Sequence, residues 1–183
     1  MKKSDKGLLR KFQVIKMTQV VLKLEEIFNR IAQTRMIDLP ILNSAMRVEA
    51  VGFRLWEGHW VGVLVTPWMI NLVLLKGEGT PLLSLALGEK KTWRFPSGNY
   101  EFMGLNEPML GACHICSLIS PVVNFTTHKE AVTIAQEIIS ALFVEIEDKR
   151  SGGIEEARLT GKSTGQKEMS RRDFLRIPLM GSQ

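Results

Sequence analysis

The chain predicts an α+β domain, an antiparallel sheet of hairpins with two main amphipathic helices packed on one face. Three observations predict it. Apolar residues recur at three-and-four spacing near both ends of the body, short apolar or alternating runs fill the stretch between them, and turn-favouring residues separate those runs. At 183 residues the chain fits one domain with tails, and roughly 70% of the unfolded surface is buried at that size, enough for a core without staples.

The elements follow in order. Val20, Leu24, Ile27, Phe28 and Ile31 share one helical face while Lys23, Glu26, Asn29 and Arg30 lie elsewhere, which predicts an amphipathic helix from Val20 to about Thr34. Pro40 ends its connection. Met46, Val48 and Ala50 alternate with Arg47 and Glu49, the period of a strand with one wet face, running to about Leu55. Trp56-Glu57-Gly58-His59 then supplies a turn, and Trp60 to Thr66 returns as an apolar strand, so the pair reads as a hairpin. Proline cannot donate to a ladder, so Pro67 predicts a bulge or bend before a buried strand from Met69 to Leu75.

Gly77, Gly79, Pro81 and Gly88 punctuate the middle, and the LLSLAL run between them fits either a strand or a short helix. Lys91 to Phe95 and Asn99 to Met103 flank Pro96-Ser97-Gly98, which predicts a second hairpin. From Asn106 to Phe125 the pattern is irregular; Pro108, Gly111 and Pro121 leave only short strands or loop around Cys113 to Ile119. Thr127-His128-Lys129-Glu130 has capping-box spacing, so a helix starts there, with Ala131, Ile134, Ala135, Ile138, Leu142 and Ile146 as its buried stripe. After Asp148 no apolar stripe offsets the entropy of ordering. Three regions result: a basic extension over 1–19, a folded body over 20–147, and a flexible tail over 148–183.

Charge excludes one class of partner. The net charge of +5 divides into +5 on residues 1–19, +3 on 148–183 and −3 on the body between them. A nucleic-acid binder concentrates basic charge on its folded face to neutralise phosphates, and this chain does the opposite, so no nucleic-acid partner is expected. A mildly acidic body suits a positively charged peptide. Val61 to Leu75 is the most apolar stretch, but it is 15 residues long and holds Pro67 and Asn71, against the roughly 20 residues a membrane-crossing helix needs. No membrane insertion is expected. Two cysteines three positions apart form no disulfide framework, which fits a reducing, cytoplasmic setting.

Catalytic constellations are missing from the sequence pattern. Neither Ser117 nor Ser120 sits in a Gly-x-Ser-x-Gly frame, and no glycine-rich phosphate loop occurs. Cys113-His114-Ile115-Cys116 is the one candidate thiol or metal motif, because two thiols at this spacing ligate a metal or cycle as a dithiol, yet one pair supplies only half of a tetrahedral site. No metal or other cofactor is expected from it. The aromatic residues point elsewhere. Trp56, Trp60, Trp68, Trp93 and Phe95 lie in or beside the hairpins, and tryptophan is the side chain most favoured at binding hot spots. Rimmed by Glu49, Glu57 or Glu101, a groove of these rings accepts the apolar part and the paired arginines of a peptide.

Such arginines occur in the chain itself. Ser170-Arg171-Arg172-Asp173-Phe174-Leu175-Arg176 reads close to the twin-arginine export consensus, a receptor-read address normally placed at an N-terminus and followed by an apolar stretch. Only Ile177 to Gln183 follow here, so an ordinary export signal is not expected. The motif is instead a look-alike of a ligand, acting in cis on its own body or in trans on a partner.

Four segments carry a resemblance. LNSAMRVEAVGF (42–53), GHWVGVLVTPWMINLVLL (58–75), RFPSGNYEF (94–102) and CSLISPVVNF (116–125) together resemble the HybE/HupJ-type assembly chaperones of NiFe-hydrogenases over roughly residues 25–145. The resemblance implies a non-catalytic, cytoplasmic accessory protein that needs no cofactor. Its implied partners are the precursors of the hydrogenase small and/or large subunit, with the twin-arginine leader of the small subunit as a target. The basic extension, Cys113 and the tail stand outside it. A second reading from the residues alone is a thiol redox or metal-binding accessory protein using Cys113 and Cys116.

Overall fold

The computed structural model describes residues 3–77, 81–86 and 88–145. Their order is α1 (Lys3–Thr34), β1 (Glu49–Trp56), β2 (His59–Val65), β3 (Ile70–Leu75), β4 (Lys90–Phe95), β5 (Gly98–Glu107), β6 (Gly111–Ile119) and α2 (His128–Ala141). The six strands form one antiparallel sheet in the order β1-β2-β3-β6-β5-β4. This is an α+β fold.

Where the helices sit departs from the expectation of one shared face. Side chains alternate across a strand, and the alternation sorts the core into two clusters. Val61, Val63 and Val65 of β2 and Leu72 and Leu74 of β3 pack with Ala131, Ala135, Ile138, Ile139 and Leu142 of the α2 region. Trp60 and Leu64 of β2 and Val73 and Leu75 of β3 pack with Leu24, Ile27 and Phe28 of α1. The two helices therefore cover opposite faces. β2 and β3 are buried at every position, so both faces of the central strands need a cover and one shared face would leave the other wet.

α1 also begins earlier than Val20. Residues 3–19 contain no proline and are rich in Leu, Lys, Arg, Gln and Met, so extending an existing helix through them costs little. Glu25 of α1 accepts from the Ala50 N–H at 2.7 Å, which ties the helix to edge strand β1.

The first hairpin turns at Glu57 and Gly58, both at positive φ (46° and 80°), the conformation of a tight two-residue hairpin loop. At Pro67 the expected bend is a full reversal, since β2 and β3 pair from Val65↔Ile70 to Trp60↔Leu75. Thr66 closes it: its hydroxyl donates to the Met69 carbonyl and accepts from the Met69 N–H. The LLSLAL run is neither strand nor helix over residues 81–86, although Leu82 and Leu85 are buried. The stretch expected to be irregular is the largest correction. β5 and β6 are ten and nine residues long, and Pro108 with Gly111 marks the turn between them rather than a break in either.

α2 starts as its cap predicts, with Thr127 Oγ1 accepting from the Glu130 N–H. The return arm of the capping box lands one residue early, because Glu130 accepts from the N–H and hydroxyl of Thr126 rather than from Thr127. Of the expected stripe, Ala131, Ala135, Ile138 and Leu142 are buried, Ile134 is half-buried, and Ile146 lies outside the described residues.

Candidate functional site

Curvature builds the site. β1 and β4 are the two edges of the sheet, with four strands between them, yet Trp56 at the end of β1 stacks on Phe95 at the end of β4, with ring centroids 4.3 Å apart and planes 23° apart. The sheet curls until side chains from its edges meet over the concave face, the face that α2 covers. Trp93 joins edge-on to Trp56 at 6.2 Å.

A single extra residue aims Trp56 at that seam. Between Val51 and Arg54 the register of β1 slips against Val63 and Val61 of β2, and Gly52 sits in the bulge at φ 64°. Before the bulge Glu49 and Val51 face α2; after it Arg54 and Trp56 do, and Phe53 turns to the α1 face. Strict alternation would have sent Trp56 to the other side. Gly52 also admits α2, since a Cβ there would lie 2.6 Å from Ile139 Cγ2.

Two histidines that sequence spacing did not connect meet at Trp93. His59 of β2 and His114 of β6 approach its ring at 5.3 and 5.9 Å. The indole N–H only donates, so His114 Nδ1 accepts it at 3.1 Å, and the imidazole proton sits on Nε2, which donates to the Leu83 carbonyl at 2.8 Å. These two bonds fix the ring, its tautomer and the 81–86 segment at once. Burial, and then the nearby Lys91 charge, holds the His59 imidazole below its ordinary range; burial does the same to His114. His59 Nδ1 is buried without a hydrogen-bond partner among the described residues. Lys91 lays its ammonium 4.3 Å over the Trp93 ring.

The far end of the seam is tied to α2. Ser97, in the β4–β5 turn, donates to the Leu142 carbonyl at 2.9 Å, and the Tyr100 hydroxyl lies 2.8 Å from Ser97 Oγ. Just past α2, Phe143 meets Phe95 at 6.1 Å under the Arg54 guanidinium, 4.6 Å above its ring.

Of the expected binding residues, Trp56, Trp93 and Phe95 come together, with Trp56 and Trp93 half-buried. Glu57, next to Trp56, is exposed and forms no ion pair among the described residues. Glu49 is engaged by His128 Nε2 at 2.9 Å and by Arg47 at 3.2 Å, and Glu101 by Lys90 at 2.8 Å. Trp60 and Trp68 are 4% and 5% exposed on the α1 face, where Trp68 stacks on Phe28. They lie apart from the seam and act as core. Ser170, Arg171, Arg172, Phe174 and Leu175 fall outside the described residues. The groupings missed in the sequence, His59, His114, Leu83 and Phe143, follow from strand order and curvature, which leave no local signal.

The thiol reading fails on geometry. Three residues apart on β6, Cys113 packs in the α1-side core and Cys116 in the α2-side core, so the sheet lies between them. Burial pushes the Cys113 thiol far above its ordinary range, which suppresses the thiolate that redox or metal chemistry requires. No described helix is long and apolar enough to cross a membrane.

Comparison with known proteins places this geometry. The family model described as NiFe-hydrogenase assembly, chaperone, HybE matches residues 19–177. That span takes in the tail motif up to Ile177, which the four resembling segments had left outside. The chain is 40% identical over 116 residues to "Probable rubredoxin HupJ" of Rhodobacter capsulatus, a match covering 63% of this chain and 42% of that longer protein. It is 33% identical over 149 residues to "Hydrogenase expression/formation protein HupJ" of Bradyrhizobium diazoefficiens, covering 81% and 82%. The solution structure of HybE from Escherichia coli shares the fold, with a TM-score of 0.58 at 22% identity over 82% of this chain and 87% of that one. A match over most of its length, with a shared fold, means that this chain belongs to the HybE family of NiFe-hydrogenase assembly chaperones.

Proposed function

We propose that this chain is a non-catalytic cytoplasmic chaperone that holds an unfolded segment of a hydrogenase subunit precursor, above all the twin-arginine leader of the small subunit, on the seam formed by Trp56, Trp93 and Phe95. One observation carries the reading: half-buried aromatic rings from both sheet edges meet, and Glu57, next in sequence to Trp56, is the one carboxylate of the expected set without an ion pair among the described residues. The rings take apolar side chains and the carboxylate takes a guanidinium. Trp93 is already held by His114 and Trp56 by Phe95, so little side-chain entropy is lost on binding.

Titration calorimetry with a synthetic small-subunit leader peptide tests this. Trp56→Ala weakens binding by about 30-fold, the effect of losing about 2 kcal/mol at a hot spot. Glu57→Gln, an exposed change that leaves the melting temperature in place, weakens it by about tenfold. Unchanged affinity in Glu57→Gln, or leader crosslinks that map to the α1 face, overturns the assignment of the seam.

A further inference from the structure

Resting on that reading, we infer that the seam's resident occupant is the chain's own tail, with Ser170 to Arg176 docked where a precursor leader binds. Three observations carry this. The first is where the described chain ends: Phe143 lies against Phe95, and Glu145 is two residues further on, so the tail departs from the edge of the site itself. The second is length. Twenty-four residues lie between Glu145 and Ser170, and at about 3.3 Å per residue their greatest reach is about 80 Å, ample for a return to a seam that Phe143 already borders. The third is complementarity. Arg171 and Arg172 supply guanidinium groups for Glu57, which is exposed and has no ion pair among the described residues, and Phe174 and Leu175 supply apolar side chains for the Trp56 and Trp93 rings. The family match runs through this motif, so the tail is part of what the relatives' pattern contains.

Tethering makes weak affinity sufficient. A segment on a linker of this kind has an effective concentration of order 1 mM, so a tail with a dissociation constant of about 0.1 mM fills the site about nine-tenths of the time. A leader must then displace it, and its apparent affinity falls about tenfold. The device rejects weak passing peptides and admits a strong one.

The test uses the full chain. Leader peptide is titrated into the wild type and into Arg171→Gln/Arg172→Gln, and a free peptide of residues 168–183 is added to the double variant while the indole resonances of Trp56 and Trp93 are followed by NMR. The double variant is expected to bind the leader about tenfold more tightly, the free tail peptide to compete the leader off, and both indoles to shift. Equal leader affinity in the two proteins, or a tail peptide that moves neither indole, overturns the inference while leaving leader binding intact. A leader affinity that depends on protein concentration also overturns it, because only a tail from another copy is diluted. If the leader binds neither protein, the functional reading fails, and the indole shifts alone then decide whether the tail docks.

Discussion

Replacing Gly52 by alanine tests whether the β1 bulge is what turns Trp56 onto the seam. At φ 64° an alanine carries a left-handed penalty of about 1–2 kcal/mol. Its Cβ would lie 2.6 Å from Ile139 Cγ2, about 1 Å inside ordinary contact, and overpacking of that kind costs about 1–3 kcal/mol. Together these remove about 2–5 kcal/mol from a total of ordinary size, 5–15 kcal/mol. With an m-value of about 2 kcal/mol/M, the urea midpoint drops by about 1–2.5 M, read by tryptophan fluorescence and circular dichroism together. The clash is separable from the backbone term. In an Ile139→Ala background the same substitution costs only the conformational part, so a double-mutant cycle shows a coupling of about 1–3 kcal/mol. A Gly52→Ala protein within about 0.5 kcal/mol of wild type, or a cycle with no coupling, refutes this account of the bulge.

Other outcomes follow from the same structure. Because His59 and His114 are held below their ordinary range when folded, the unfolded chain takes up their protons first; stability is fully present above about pH 6.5 and is lost as pH falls below it through their lower folded values. His114→Gln keeps an acceptor and a donor without the titrating proton, so urea unfolding at pH 7.5, 6.5 and 5.5 shows a shallower loss in the variant, and an identical slope contradicts the lowered titration of His114 as a source of the pH dependence. Both thiols react with a disulfide reagent only at the rate at which the fold opens, since Cys113 and Cys116 are 1% and 4% exposed; labelling that ignores denaturant contradicts this. Thr127→Ala costs about 1 kcal/mol in thermal or urea unfolding, the usual value of an N-cap. Lys91→Met, which removes the cation already stacked on Trp93, tightens binding of an arginine-bearing leader, whereas weaker binding would place the peptide elsewhere.

Legibility in the sequence tracked the range of the interactions involved. The α2 cap, the stripe of Ala131, Ala135 and Ile138, and the turn at Glu57 and Gly58 were all readable, because each depends on residues within four positions of one another. The long β5–β6 hairpin was hidden because Pro108 and Gly111 look the same whether they break a strand or turn one. Period-two reading began β1 at Met46, three residues before its observed start at Glu49, and the extra residue at Gly52 breaks the alternation that would have to be followed to find the face of Trp56.

By itself the sequence determined that this is an α+β chain resembling an assembly-chaperone family, with a capped second helix and its first hairpins in place. Tertiary structure decided that the helices cover opposite faces, that Cys113 and Cys116 are kept apart, and that Trp56, Phe95, Trp93 and the two histidines share a site. The reason is physical: hydrophobic period and turn chemistry act along the chain, whereas the curl that joins β1 to β4 sums the twist and bulges of six strands, and no local window contains that sum.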